Sequence, residues 1–204
     1  MAALTGNHRD RLIEATVAEF ASVGYERASL NRIIQAAGIS KSSFYHAVGS
    51  KSELLDAVVE TLIADVRARW VPPAPAQFAG DDFWPRLEGV LTDLGRLAAV
   101  DPALGLLGRI FYLPAAGGVD ARTALLDGVQ AWVAEVLQVG VRTGAVRDDV
   151  PVEALSAATF GMLRGLDEWA LDATAAEVSR RARDQVAVPG VLLRGMLERP
   201  SSAA

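Results

Sequence analysis

The 204-residue sequence predicts an all-α protein, a three-helix head followed by a helical body of about six helices. Three observations carry this expectation. Apolar residues recur at i, i+3, i+4 and i+7, as in Leu30, Ile33, Ile34 and Ala37, which therefore share one helical face. Glycines and prolines such as Gly38, Gly49, Pro72, Pro73 and Gly144 fall between these stretches rather than inside them. No run of β-branched residues alternates with the period of two that a half-buried strand requires.

Residues 1–7 show no pattern. From His8 to Gly24 the spacing of Ile13, Val17 and Phe20, with Leu12 and Thr16 alongside, predicts the first helix, and Tyr25 is placed to plug the base of the head. A second helix follows from about Leu30 to Ala37, stopped by Gly38 in the left-handed conformation that ends helices, with Ile39 anchoring the turn. Ser40 is the expected N-cap of a third helix through about Ala47. On that helix Ser42, Tyr45 and His46 share a polar face with Lys41 beside it, while Phe44 and Val48 lie roughly opposite. Two short helices around a glycine-containing turn, the second displaying hydrogen-bonding side chains, follow the logic of a helix-turn-helix. Gly49 breaks the third helix, and Ser50 to Glu53 form a capping box that opens a fourth, running to about Trp70 on a stripe of Leu55, Val59, Leu62 and Val66.

The prolines of residues 71–75 stop the fourth helix, and a loop is expected through Gly80. Asp81 or Asp82 can cap a fifth helix whose apolar face runs from Leu87 to Ala98, with Pro85 tolerated in its first turn. Asp101 followed by Pro102 reads as a cap and first-turn proline for a sixth helix, Ala103 to about Leu113, closed by residues 114–118. A seventh spans about Asp120 to Thr143 with Gly144 as C-cap, an eighth about Pro151 to Leu171, and a ninth about Thr174 to Leu197, broken or kinked at Pro189-Gly190. The organisation expected is a head of residues 1–51, a body of 52–198 and a polar tail of 199–204.

The run AGISKSSFYHAVGSKSELL resembles the signature of the TetR family of transcriptional repressors, a recognition helix of the type SKxxxYxxF followed by a GSKxxL helix start. Residues 9–55 carry the resemblance without a gap. The chain departs from it at Ala47, where the family has an aromatic residue or His, and at Val48, where it has Phe; Val48 keeps the packing role with less volume. The segment VGVRTGAVRDDV also resembles the turn after the family's seventh helix.

The resemblance implies a homodimer that binds a palindromic double-stranded DNA operator and is released by a small effector. Within it, Ser42, Ser43, Tyr45 and His46 are expected to touch DNA, the hydroxyls on phosphate oxygens or base edges, with Lys41 adding charge. Lys51 and Ser29 stand at helix starts, where unpaired backbone N–H groups favour a phosphate. The family's small-molecule pocket would be walled by Phe111, Tyr112 and Trp132, with Arg109 as polar anchor; plain core packing is the alternative for these aromatic side chains and for Trp84 and Trp169. Gly161 and Gly165 permit close backbone approach, which suits the eighth helix at a dimer interface made with the ninth.

Composition is consistent with this organisation and excludes other classes. The net charge of −5 is unevenly spread: residues 1–51 hold six basic and four acidic side chains, a balance of +2, whereas 52–204 hold fourteen and twenty-one, −7. A mildly basic head on an acidic body can meet phosphates, because the local field decides. Arg180, Arg181 and Arg183 have Glu177 and Asp184 at helical spacing and read as a solvated face, as do Arg164 and Glu168. The chain has no Cys, and neither of its two His has an acidic pair at helical spacing, which excludes a disulfide framework and argues against a metal site. No catalytic spacing or glycine-rich phosphate loop occurs, so neither an enzyme nor a cofactor is expected. Charge-free runs reach eleven residues, as in residues 70–80, short of a membrane span, and no signal peptide is evident; the expected location is the cytoplasm. The rival reading is a helix-turn-helix regulator without a small ligand, answering to a protein partner or acting constitutively.

Overall fold

The computed structural model describes residues 6–111, 120–171 and 188–199, with backbone alone at Ala170 and Leu171. Among these residues every regular element is helical, as the periodicity predicts: α1 (Gly6–Arg27), α2 (Leu30–Ala37), α3 (Lys41–Ala47), α4 (Lys51–Arg67), α5 (Phe83–Val100), α6 (Pro102–Phe111), α7 (Ala121–Thr143), α8 (Val152–Leu171) and α9 (Val188–Leu197). Two short 3-10 turns, Pro75–Phe78 and Gly80–Asp82, occupy the stretch that reads as loop. Tyr112, the turn at 114–118, residues 174–187 of the expected ninth helix and the end of the tail lie outside the described residues.

The first helix does not end at Gly24. That residue adopts φ 76°, which breaks the helical path, and the chain then makes one further turn through Arg27 before α2. The caps expected at Ser50 and Asp101 are made, whereas Asp81 and Asp82, expected to cap the fifth helix, lie in the 3-10 turn Gly80–Asp82 that precedes α5. Ser50 Oγ accepts the Glu53 N–H at 3.1 Å and the Glu53 carboxylate reaches back to the N–H of Gly49 at 2.9 Å. Asp101 Oδ1 accepts from Ala103 at 2.9 Å and starts α6. Asp120 caps α7 by accepting both the N–H and the hydroxyl of Thr123, at 2.7 and 2.8 Å.

Packing divides the chain into two units, Met1–Trp70 with Asp101–Leu126, and Val71–Val100 with Asp127–Ala204. In the first, Leu12, Ile13, Val17 and Phe20 of α1, Ile33, Ile34 and Ala37 of α2, Phe44 and Val48 around α3, Leu54, Leu55, Val58, Val59 and Leu62 of α4, and Ala103, Leu107 and Ile110 of α6 form one buried cluster. The apolar core that supports the helix-turn-helix therefore does not stop at residue 51; it takes in all of α4 and α6. Two polar ties reinforce it. Arg69, just past α4, meets the buried Asp101 at 2.6 Å, and Asp56 of α4 accepts the first N–H of α7 at 3.0 Å.

The second unit is built on aromatic side chains. Phe78 packs edge-on against Phe83 and Trp132, with centroids 6.1 and 5.7 Å apart, and Phe83 against Trp84 at 5.2 Å. Arg194 of α9 lies 4.7 Å over the Trp84 ring and bridges Glu88 and Glu198. By length and composition α7 is apolar enough to cross a bilayer, but it buries Val133, Val136, Leu137 and Val139 inside the protein, as a core helix does.

Gly140 of α7 sits where nothing larger fits: an added Cβ would lie 2.5 Å from Val146 and 2.6 Å from the ring of Phe83, both fully buried. At Gly128, on the same helix, an added Cβ meets nothing. Gly140→Ala is expected to lower the unfolding free energy in urea by about 1–3 kcal/mol through overpacking. Gly128→Ala is expected to raise it by about 0.5–1 kcal/mol through helix propensity alone. Equal effects at the two positions would contradict this packing.

Candidate nucleic-acid interface

The turn between α2 and α3 is fixed by local chemistry. Gly38 adopts φ 65° and its N–H, with that of Ile39, returns to the carbonyls of Gln35 and Ile34, satisfying the end of α2. The positive φ is what favours glycine here; the Arg11 guanidinium, reaching over the turn from α1, would lie 2.5 Å from an added Cβ and would have to shift. Ile39 packs against the core, as expected of the residue anchoring the turn.

Ser40 caps α3 by accepting the Ser43 N–H at 3.0 Å, and the two hydroxyls lie 2.8 Å apart. Phe44 is fully buried and Val48 nearly so, although Val48 stands past the last helical turn with an extended backbone. The opposite face of α3 is open: Lys41, Ser42, Ser43, Tyr45 and His46 are all exposed, Tyr45 to 53% even though its ring meets Phe44 edge-on. Five of the seven residues expected to touch DNA are thus gathered on one exposed surface. Within it Ser43 is drawn into the cap, which leaves Ser42 as the hydroxyl better placed to read a base edge.

Ser29 stands at the start of α2 with extended backbone, and its side chain makes no capping bond. The carboxylate of Glu19, from α1, supplies that function by accepting the Ser29 N–H at 2.8 Å, and it also accepts Arg32 Nε at 2.8 Å. The Arg32 guanidinium and then the Ser29 N–H hold the Glu19 carboxyl below its ordinary range. Sequence reasoning missed Glu19, because its partners lie ten and thirteen residues away.

Lys51 is where the structure departs most from the expectation of a phosphate ligand. Its ammonium donates to the carbonyls of Tyr25, Glu26 and Ala28 at 2.8, 3.1 and 3.4 Å, and lies 4.6 Å over the Tyr25 ring. The ammonium meets three carbonyls at and just past the C-terminal end of α1, that of Tyr25 shared with the Ala28 N–H, the arrangement in which a cation stabilises a helix end. Tyr25 in turn stacks on Phe20 at 5.6 Å, so it does plug the base of the head. In the free protein Lys51 is a clamp between the start of α4 and the turn leading to α2.

Of the residues expected to line a pocket, Tyr112 lies outside the described residues. Arg109 is exposed, because Ala103, Leu107 and Ile110 form the buried stripe of α6 and Arg109 falls off it. Phe111 is half-buried in the first unit. Trp132 belongs to the second, where its indole N–H donates to the Pro73 carbonyl at 2.9 Å and its ring packs on Phe78, so it has a structural partner. Among the described residues, no three acidic or His side chains cluster as metal ligands would.

Residues 12–58 match the model of the bacterial regulatory proteins of the tetR family. No curated protein matches the sequence. Among solved structures, a TetR family transcriptional regulator from Chloroflexus aurantiacus J-10-FL superposes with TM-score 0.71 at 22% identity, with 96% of each chain covered. A putative tetR family transcription regulator from Shewanella sp. PV-4 gives 0.65 at 16% identity, with 95% of this chain and 99% of that chain covered. The TetR family protein CprB from S. coelicolor A3(2) gives 0.62 at 19% identity, over 94% and 90%. The class these features define is a helix-turn-helix DNA-binding transcriptional regulator. Its head belongs to the TetR family, and its fold is the one those regulators share.

Two outcomes follow for the head. Lys51→Ala removes the clamp from three carbonyls and is expected to lower stability by about 1–3 kcal/mol in guanidinium unfolding; an unchanged midpoint would return Lys51 to a purely DNA-facing role. The Glu19 carboxylate, with its depressed folded-state pKa, contributes stability that is complete above its ordinary value of 4.5 and is lost as pH falls through the lowered folded value. Glu19→Gln is accordingly expected to destabilise the protein at pH 7, and the difference from wild type should shrink on acidification, read as thermal midpoints across a pH series.

Proposed function

We propose that the protein is a homodimeric repressor that binds a palindromic operator with α3 of each protomer in the major groove, and that a small effector releases it. The observation that carries the DNA part is the open polar face of α3, backed by a fully packed core. In this reading residues 1–51 contact DNA and 52–198 form the body for dimerisation and effector binding. Two recognition helices then lie about one helical turn, ~34–36 Å, apart. An effector acts by binding one arrangement of the heads better than the other. Such a protein is a cytoplasmic regulator and not an enzyme, and it needs no cofactor.

Dimerisation is supported by what the body leaves uncovered. On α8, Ala154, Ala157, Ala158, Gly161 and Gly165 are exposed at helical spacing, and an added Cβ at either glycine meets nothing among the described residues. Close packing, the expected reason for these glycines, is thus unmet among those residues. On α9, Val191 and Leu192 are 69% and 44% exposed, with Gly195 beside them. Two such faces from each of two protomers suit a four-helix interface. An effector is supported by buried polar atoms without partners: Arg122 Nε, Arg86 Nε and Thr159 Oγ1. The ties of Trp132 to Pro73 and Phe78 favour the other reading, a regulator with no small ligand, since that ring already has a structural use.

The test is sedimentation and fluorescence anisotropy on the same preparations. Wild type is expected as a dimer at micromolar concentration. Gly161→Arg should leave helical content intact, weaken dimerisation at least about tenfold and abolish cooperative operator binding. Ser42→Ala should relax preference at one base pair by about 1–3 kcal/mol with an unchanged salt slope. Lys41→Ala should weaken binding to all duplexes and reduce the slope of log K against log salt by about 0.9. A wild-type monomer, or Lys41→Ala with an unaltered slope, would contradict this arrangement.

A further inference from the structure

Arg122 lies in the first turn of α7, within the first unit, and is 3% exposed. Its neighbours Ala121 and Leu125 pack against that unit's apolar cluster. A guanidinium has five N–H donors. Here one protein acceptor meets them: Asp120 Oδ2, 3.2 Å from Nη2. The Nε atom is buried with no partner.

The pairing with Asp120 does not explain the arginine. It is made through Nη2 alone, at a length beyond that of a strong charge-assisted bond, and it leaves Nε, the other donor of that edge of the fork, unused. Asp120 is chiefly engaged elsewhere, by the N–H and hydroxyl of Thr123. Burial works to raise its pKa, but the Thr123 bonds and the Arg122 guanidinium prevail and keep it lowered, so it stays ionised. Asp56, the other nearby acid, has an oxygen on the N–H of Ala121. Both carboxylates are thus committed to starting α7, while the buried cation retains an unpaired Nε. A side chain needed only to fill this position would be apolar, since a buried donor without an acceptor is costly.

We propose that Arg122 is an anion receptor, and that the effector is an amphipathic monocarboxylic acid whose carboxylate docks side-on at Nε and one Nη. This deepens the ligand-responsive reading above and rests on it. Planar two-point geometry selects a carboxylate. The two acids already present disfavour a second negative charge, hence one carboxylate rather than a phosphate dianion. The apolar cluster behind Ala121 and Leu125 favours a hydrocarbon body over a small hydrophilic acid.

The probes are octanoate, decanoate and 4-phenylbutyrate, each against its uncharged primary amide, titrated calorimetrically into the full-length protein, with the neutral dye Nile red as a charge-blind control. At least one acid is expected to bind wild type on the order of tenfold more tightly than its amide. Arg122→Met should reduce that preference to within about threefold, and Asp120→Asn/Arg122→Met, which keeps a capping side chain and removes the lone charge, should do the same if the single variant folds poorly. Asp120→Asn alone should tighten the acid about three- to tenfold by removing a competing carboxylate; an ion pair that is merely structural gives no such gain. Acids binding no better than amides, or an acid preference that survives Arg122→Met, overturns the receptor. Nile red uptake with no acid preference leaves the ligand-responsive reading standing without the receptor, and no uptake of acid, amide or dye overturns both.

Discussion

A seven-residue helix cannot hold itself in water, where isolated helices shorter than about 12–15 residues are marginal. α3 is such a helix, and it buries a single residue of its own, Phe44. Its orientation is therefore borrowed. The pocket that receives Phe44 and Val48 belongs to a cluster made by α1, α2, α4 and α6, so anything that disturbs that cluster disturbs the exposed face of α3. The same dependence explains the many short-range devices around it: the Ser40 cap, the left-handed Gly38 under Arg11, and the Ser50–Glu53 box each fix a chain direction that seven residues could not.

Lys51 belongs to this support. A positive charge at the start of α4 would ordinarily be opposed by the helix dipole. Here it is drawn to the carbonyl end of α1, a site of opposite sign, and to the ring of Tyr25. The positive φ at Gly24 gives α1 the extra turn whose carbonyls Lys51 collects. Two helix ends of opposite polarity are joined through one ammonium, and Glu19 with Arg32 does comparable work at the start of α2.

What was legible in the sequence was what is local. The caps at Ser40, Ser50 and Asp101, the turn at Gly38, and the apolar stripes of the head are set by residues within about four positions of one another, and they form as expected. The Lys51 contacts span 23 to 26 residues and the Trp132 bond spans 59, so no periodicity could announce them. The stripe of Ala103, Leu107 and Ile110 is local too, and it puts residue 109 off the buried face. The glycines of α8 permit close approach, and among the described residues nothing approaches them. The burial of Arg122 has no signature along the chain.

The two polar ties on α4 turn it into a lever. Asp56 holds the start of α7 and Arg69, just past the other end of the helix, holds the start of α6, while Ser50 begins α4 at the helix-turn-helix. Seventeen residues make a rod of about 25 Å. Pivoting that rod by about 5° at its pinned end displaces the other end by roughly 2 Å, and opposite pivots in a two-fold pair would change the spacing of two recognition helices by roughly 4 Å. That exceeds the reach over which a hydrogen bond survives, about half an ångström beyond its optimum. In the proposed dimer, operator affinity would therefore respond to a small change in the angle of α4.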